Sequence, residues 1–177
     1  MPYQFRFTLN DNDYYEFNKF HLKNTPHLVR QRRLYLILIP VIFFIILFLI
    51  LLYGQIFLPW ALIISAIVAV ISFFSIRRSW NKQPEKNLEK MKRDGKLTYQ
   101  KAISQDFGED GYTETTEDMN ANGNYTIIER IGDGPEGIYL YMTVNTAAII
   151  PNRAFNSPVE RSGFLDFIRS KINTGEH

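Results

Sequence analysis

The chain is expected to be an α+β membrane protein. A two-helix transmembrane hairpin is joined to a small antiparallel β-sheet domain that a C-terminal helix closes. Three observations predict this. Residues 34–76 contain no Asp, Glu, Lys, Arg or His. Basic side chains crowd both margins of that run. Beyond residue 96 the apolar residues fall into short stretches punctuated by Gly, Asn and Asp, and then into one amphipathic segment.

Hydrophobic residues make up 46% of the 177, an ordinary share for a soluble protein, and the average misleads. The apolar residues are concentrated in two blocks. Leu34–Tyr53 is twenty residues, and at about 1.5 Å per residue a helix of that length crosses a bilayer core of roughly 30 Å. Gly54-Gln55-Ile56-Phe57 is an uncharged turn, and a second block runs from Leu58 to Ile76. Pro59 suits the first turn of the second helix, Pro40 should bend the first, and Tyr53 and Trp60 lie near one membrane face. Neither block shows the polar stripe of a soluble helix packed into a core.

Charge organises the rest. Residues 1–33 carry six basic and three acidic side chains, residues 77–96 eight and three, and residues 97–177 six and twelve. The basic excess is therefore a collar around the apolar segment, and it is no argument for nucleic-acid binding. Lys23, Arg30, Arg32 and Arg33 precede the first span, Arg77, Arg78, Lys82 and Lys86 follow the second, and the loop between has no basic residue. The positive-inside rule then places both termini in the cytoplasm. The lipid bilayer is the expected surroundings. No cleaved signal peptide is expected. Along the second span Ala61, Ser65 and Ala69 recur every four residues, with Ser72 nearby. Such a face allows close packing on the first helix or on a second copy of the chain.

The domain reading follows these divisions. Residues 1–33 hold a strand, with Tyr3, Phe5, Phe7 and Leu9 on one side, and a helix capped by Asn10 that carries Tyr14, Phe17 and Phe20 and ends at Asn24-Thr25-Pro26. Residues 34–76 are the hairpin, with spans 34–53 and 58–76. Residues 77–96 are a basic helical linker that Pro84 interrupts, with a charged helix over 85–94. Residues 97–177 are the sheet domain. Its strands are expected at an extended segment carrying Leu97, Tyr99, Ile103 and Phe107, then at 112–116, 125–131, 138–143 and 146–150. Asp110-Gly111 and Asn122-Gly123 read as hairpin turns, and Gly132-Asp133-Gly134-Pro135 as a break. Ser157-Pro158-Val159-Glu160 is a capping box that opens a helix presenting Phe164, Phe167, Ile168 and Ile172.

Phe17-Asn18-Lys19-Phe20-His21 with Asn24-Thr25-Pro26, the two spans, Tyr139-Leu140-Tyr141 and Ile149-Ile150-Pro151-Asn152-Arg153-Ala154-Phe155 together resemble the YcxB-like family of small bacterial membrane proteins. The resemblance implies a cytoplasmic sheet domain of pleckstrin-homology-like (PH-like) fold. It implies no activity.

Chemistry-bearing patterns are sparse. There is no cysteine. His21, His27 and His177 lack the spacing of metal ligands, and Glu109-Asp110 and Glu117-Asp118 read as solvated loop charges. No phosphate loop or nucleophile elbow occurs. The expectation is therefore a protein that is not an enzyme and has no cofactor, metal, nucleic acid or small-molecule substrate. Headgroup binding by the sheet domain would need Arg153, Arg161 and Arg169 to gather on one face against its net negative charge. The leading reading is a membrane-anchored cytoplasmic interaction module that binds a protein partner or self-associates, with Tyr139, Tyr141 and Arg153 as a candidate surface. The alternative is an accessory subunit of a membrane transport or export assembly.

Overall fold

A strand at one end of the sequence is paired with a strand from its middle, and that pairing organises the molecule. The computed structural model describes residues 3–95, 102–117 and 119–173. It divides into two units, Lys19–Asn87 and the combination of Met1–Asn18 with Leu88–His177. The expected strand position at Leu97 and Tyr99, the residue Asp118 and the terminal His177 lie outside the described residues.

In the first of these units, α2 (Pro26–Tyr53) and α3 (Leu58–Asn81) pack as an antiparallel pair. It also holds the end of α1 (Asp11–Asn24) and the start of α4 (Gln83–Arg93). α2 begins at Pro26, two turns before the apolar run. Thr25 is extended (φ −94°, ψ 113°) and its carbonyl accepts the Val29 N–H at 3.0 Å. Pro26 has no N–H to leave unsatisfied, so Asn24-Thr25-Pro26 separates two helices by a single residue. Both α2 and α3 are long and apolar enough to cross a membrane, and only 6% and 11% of their most apolar windows are buried. A core helix of a soluble protein would be covered far more completely. The intervening turn is a Schellman motif, with the Gln55 N–H on Leu52 O and the Ile56 N–H on Leu51 O, both at 3.0 Å. Its left-handed residue is Gln55 (φ 59°), although Gly54 stands next to it.

The other unit holds two antiparallel sheets. The first has the order β1–β2–β3–β4, formed by Tyr3–Thr8, Ala102–Phe107, Tyr112–Thr115 and Asn120–Gly123. The second has the order β5–β6–β7, formed by Arg130–Asp133, Gly137–Tyr141 and Ala147–Pro151. β1 alternates as its sequence predicts, with Phe5 and Phe7 buried, and it joins the ladder with Tyr3 opposite Phe107 and Thr8 opposite Ala102. The helix α5 (Pro158–Asn173) sets Phe164 among Phe5, Phe107 and Phe155, at ring separations of 5.0, 4.9 and 5.7 Å. Leu165 and Ile168 are buried beside it, whereas Phe167 is only half-buried. Phe17 of α1 packs on Tyr139 and Tyr141 of β6. β6 is buried on both faces, which explains an apolar run without alternation.

Several expected boundaries shift. Asn122-Gly123 lies inside β4, and the Thr116 N–H, just past β3, donates to Met119 O, just before β4, at 2.8 Å. Gly123 is opposite Tyr112, and a Cβ there would sit 2.6 Å from the tyrosine ring, so the glycine makes room for a cross-strand aromatic rather than for a turn. The strand expected over 125–131 opens as a 3₁₀ turn, Tyr125–Ile127, whose cap Asn124 accepts the Thr126 N–H. β5 then runs through Gly132 and Asp133, and the break is confined to Gly134–Glu136. α4 starts at Gln83 and includes Pro84 in its first turn.

Gly137 tests the closeness of β6 and β7. A Cβ on it would meet Ile150 O at 2.7 Å, and backbone cannot yield as a side-chain tip does. Gly137→Ala is expected to destabilise this unit by about 1–3 kcal/mol. Gly108→Ala, where the nearest atom is at 3.5 Å, should be nearly neutral. Thermal unfolding of the two full-length variants in detergent measures the difference.

Candidate functional site

The segment Ile149–Phe155 builds the most connected polar site in the sheet unit. Ile150 and Pro151 finish β7 in the core, and the chain then turns through a 3₁₀ segment, Asn152–Ala154, before Phe155 is buried again. The turn sends its two polar side chains to different elements. Asn152 accepts Arg161 Nε at 2.8 Å on Oδ1, donates from Nδ2 to Pro135 O at 2.6 Å, and donates its own N–H to Glu136 O. Arg161 also donates to Asp133 Oδ1 and Gly134 O, so the β5–β6 turn is held against α5.

Arg153 reaches the other way. Both of its terminal nitrogens donate to the two carboxylate oxygens of Asp13 at 2.5 Å, and Nη2 also donates to Thr8 O at 2.6 Å. Asp13 is 6% exposed and accepts the Asn10 N–H while Asn10 Oδ1 accepts the Asp13 N–H, a reciprocal helix cap. The carboxylate raises the guanidinium's pKa further, through the hydrogen bonds first. A planar fork on a nearly buried carboxylate joins β1, α1 and the turn after β7, an arrangement a lysine cannot copy.

These contacts reassign the expected surface. Tyr139 and Tyr141 are each 1% exposed, so neither ring presents itself to a partner. Their alternation in Tyr139-Leu140-Tyr141 belongs to a strand covered on both sides. Arg153 is half-exposed, but its charged end is committed to Asp13. Arg161 pairs with Asp133 and Arg169 with Asp166, so the three arginines do not form a free basic face. Lys171 likewise pairs with Glu109 at 2.6 Å, which lowers the Glu109 pKa. On α3, Ala61 and Ser65 are fully buried against α2, and Ser65 Oγ donates to Ala61 O; Ala69 and Ser72 are half-buried.

Beside the first turn of α5 the same residues leave a groove of about 270 Å³, lined by Asn152, Phe155, Asn156, Ser157, Pro158 and Arg161. Ser157 Oγ accepts the Glu160 N–H and Glu160 accepts the Asn156 N–H, so the capping box shapes its rim. Val159, 81% exposed, stands on that first turn. The groove offers apolar walls and amide groups, with no nucleophile beside a base. Among the described residues no group of three or more His, Cys, Asp or Glu is placed to hold a metal.

Sequence reasoning placed Asp13 in the first turn of a capped helix but missed its pairing with Arg153, the bonds of Asn152 and the Gln105–Glu114 hydrogen bond of 2.7 Å on neighbouring strands. Asn10-x-x-Asp13 is itself a capping pattern, the one signal that pointed to Asp13. Tyr125, read as a strand residue, instead caps the β2–β3 turn through its hydroxyl, 2.8 Å from Gly108 O.

Residues 107–168, from the end of β2 into α5, match the family model described as YcxB-like protein. Asn152, Arg153 and Arg161 all fall within it, and both long apolar helices fall outside. No curated protein and no solved structure matches the chain.

Two outcomes test the site. Arg153→Ala leaves a buried carboxylate without its fork and should cost about 1–3 kcal/mol, the range being kept low because the guanidinium is half-exposed. Arg153→Lys should recover only part, and a double-mutant cycle with Asp13→Asn isolates the coupling. Burial raises the pKa values of Tyr112, Tyr125, Tyr139 and Tyr141, that of Tyr125 to about 12. Because these folded values exceed the unfolded value of about 10, their contribution is complete below about pH 10 and is lost as pH rises through each raised value, about 12 for Tyr125. Tyrosinate absorbance of the buried rings should therefore rise together with loss of near-ultraviolet circular dichroism, not ahead of it.

Proposed function

We propose that the protein is a two-pass membrane protein whose PH-like sheet domain, on the cytoplasmic side of a bacterial cell membrane, binds a protein partner without catalysing a reaction. The observation that carries the anchor is the exposure of two long apolar helices that cover only a stripe of each other. Such surface, left in water, would drive aggregation. In lipid it needs no further cover, and each helix satisfies its own backbone.

The β1–β2 ladder supports the hairpin topology independently of the basic flanks. Thr8 and Ala102 are neighbours, so the chain between them returns to the side it left and crosses a bilayer an even number of times. Basic residues at both helix margins favour the cytoplasm for that side. A four-stranded and a three-stranded antiparallel sheet closed by a C-terminal helix support the PH-like reading.

For the partner, the groove beside α5 is the favoured surface. Its walls are Phe155 and Pro158, its rim carries the side chains of Asn152, Asn156 and Ser157, and Val159 is exposed next to it. The net negative charge of residues 97–177 and the pairing of Arg153, Arg161 and Arg169 with carboxylates favour a protein over an anionic headgroup. An accessory role in a transport or export assembly would instead use the outward faces of α2 and α3, since Ala61 and Ser65 are consumed within the hairpin.

Single cysteines introduced into the native cysteine-free chain test both parts. Positions in the Gly54–Phe57 turn should label only from outside the cell, and positions 10 and 159 only after permeabilisation. A photo-crosslinker at position 159 should give one discrete adduct, with position 121 in β4 as the comparison. Labelling of positions 10 and 159 from opposite sides overturns the topology, and absence of a discrete adduct at 159 overturns the groove assignment.

A further inference from the structure

The hairpin unit contains a second cavity, of about 390 Å³ and open to the surface. Four of its eight lining residues are basic, namely Lys23, Arg32, Arg33 and Arg77; Leu36 and Phe73 are among the others, and none is acidic. Arg32 donates to Asn81 Oδ1 at 3.2 Å and so ties α2 to the end of α3. Lys23, Arg33 and Arg77 are exposed and have no carboxylate partner among the described residues. This contrasts with the sheet unit, where Arg153, Arg161, Arg169 and Lys171 are each paired. Across Lys19–Asn87 nine basic side chains stand against one acid, Glu85. Cations gathered around one cavity repel each other, and an anion that enters it relieves that repulsion.

The depth of the cavity narrows the choice of anion. The uncharged run begins at Leu34 and ends at Ile76, so Arg33 and Arg77 stand just outside it and Leu36 and Phe73 just inside. Along a helix Leu36 lies about 4.5 Å beyond Arg33, and Phe73 about 6 Å from Arg77. All four basic residues of the cavity lie on one side of this boundary, with Leu22 and Val29, and the lining on the other side is only apolar, a layout that suits a phospholipid, phosphate first and acyl chain next. Inorganic phosphate would make no use of the apolar residues.

We propose that this cavity binds the phosphate of an anionic glycerophospholipid, held by Lys23, Arg33 and Arg77, with one acyl chain against Leu36 and Phe73. The inference rests on the membrane reading above and adds a ligand to it. Arg33 and Arg77 are then lipid ligands as well as topology signals. Arg32, engaged with Asn81, fixes the cavity's wall.

Native mass spectrometry of the full-length protein in dodecyl maltoside tests this, with dioleoyl phosphatidylglycerol or dioleoyl phosphatidylcholine added and inorganic phosphate as competitor. Phosphatidylglycerol should be retained about tenfold or more over phosphatidylcholine. The preference should vanish in Arg33→Gln/Arg77→Gln and persist in Arg33→Lys/Arg77→Lys. It should also persist in Arg30→Gln/Arg78→Gln, which removes the same charge from residues that do not line the cavity. Equal loss in the two glutamine variants, no preference in the parent protein, or displacement by millimolar phosphate overturns the proposal and leaves the membrane anchor standing. Protein that remains soluble and monomeric without detergent overturns the anchor itself, a separate result.

Discussion

Pairing of β1 with β2 is the constraint from which the remaining architecture follows. The strands lie in one antiparallel ladder although both long helices separate them in sequence. Whatever the chain does in between, it must return to where it began. Asp13 and Arg153 repeat that closure with side chains, joining the start of α1 to the turn after β7. The amino-terminal strand is thus part of the sheet unit's core, and Phe5 is surrounded by rings from β2, α5 and the segment before it. A domain of about eighty residues would be marginal without this addition.

The two units solve opposite problems. The sheet unit covers its apolar side chains with its own elements, to the point that Ile138, Tyr139, Leu140 and Tyr141 are all but inaccessible. The helix pair cannot do so. Two helices in contact cover one stripe of each, and here the small side chains Ala61 and Ser65 bring the helices close while Ile37, Phe43, Ile63 and Ile67 remain outward. Close approach saves dispersion contacts between helices, but it does nothing for the outer faces, which stay exposed. The same division appears in the charges. Arg153, Arg161, Arg169 and Lys171 of the sheet unit are paired with carboxylates, whereas Lys23, Arg33 and Arg77 at the helix margins have no carboxylate partner among the described residues.

Much of the helical architecture was legible in the sequence because it depends on local properties. The length of an uncharged run, a proline in a first turn, and Ser157 three residues before Glu160 carry their meaning wherever they occur, and α3, α5 and the strand β1 appear where those signals put them. Turn chemistry was less dependable. Asn122-Gly123 has the composition of a hairpin turn, yet it is drawn into β4 because Tyr112 needs the space that a missing Cβ leaves. Tyr125, with the composition of a strand, is turned inward so that its hydroxyl reaches a carbonyl of the β2–β3 turn.

By itself, then, the sequence determined the α+β class, the helix pair with its basic margins, and the order of sheet after helices, since each follows from patterns within a few turns of chain. Tertiary structure alone decided that β1 belongs to the sheet, that Tyr139 and Tyr141 are core, and that Arg153 is spent on Asp13. It also decided which basic residues of the collar share a cavity. These outcomes depend on partners distant in sequence, where periodicity is silent and only the closed path of the chain brings opposite charges, rings and like charges together.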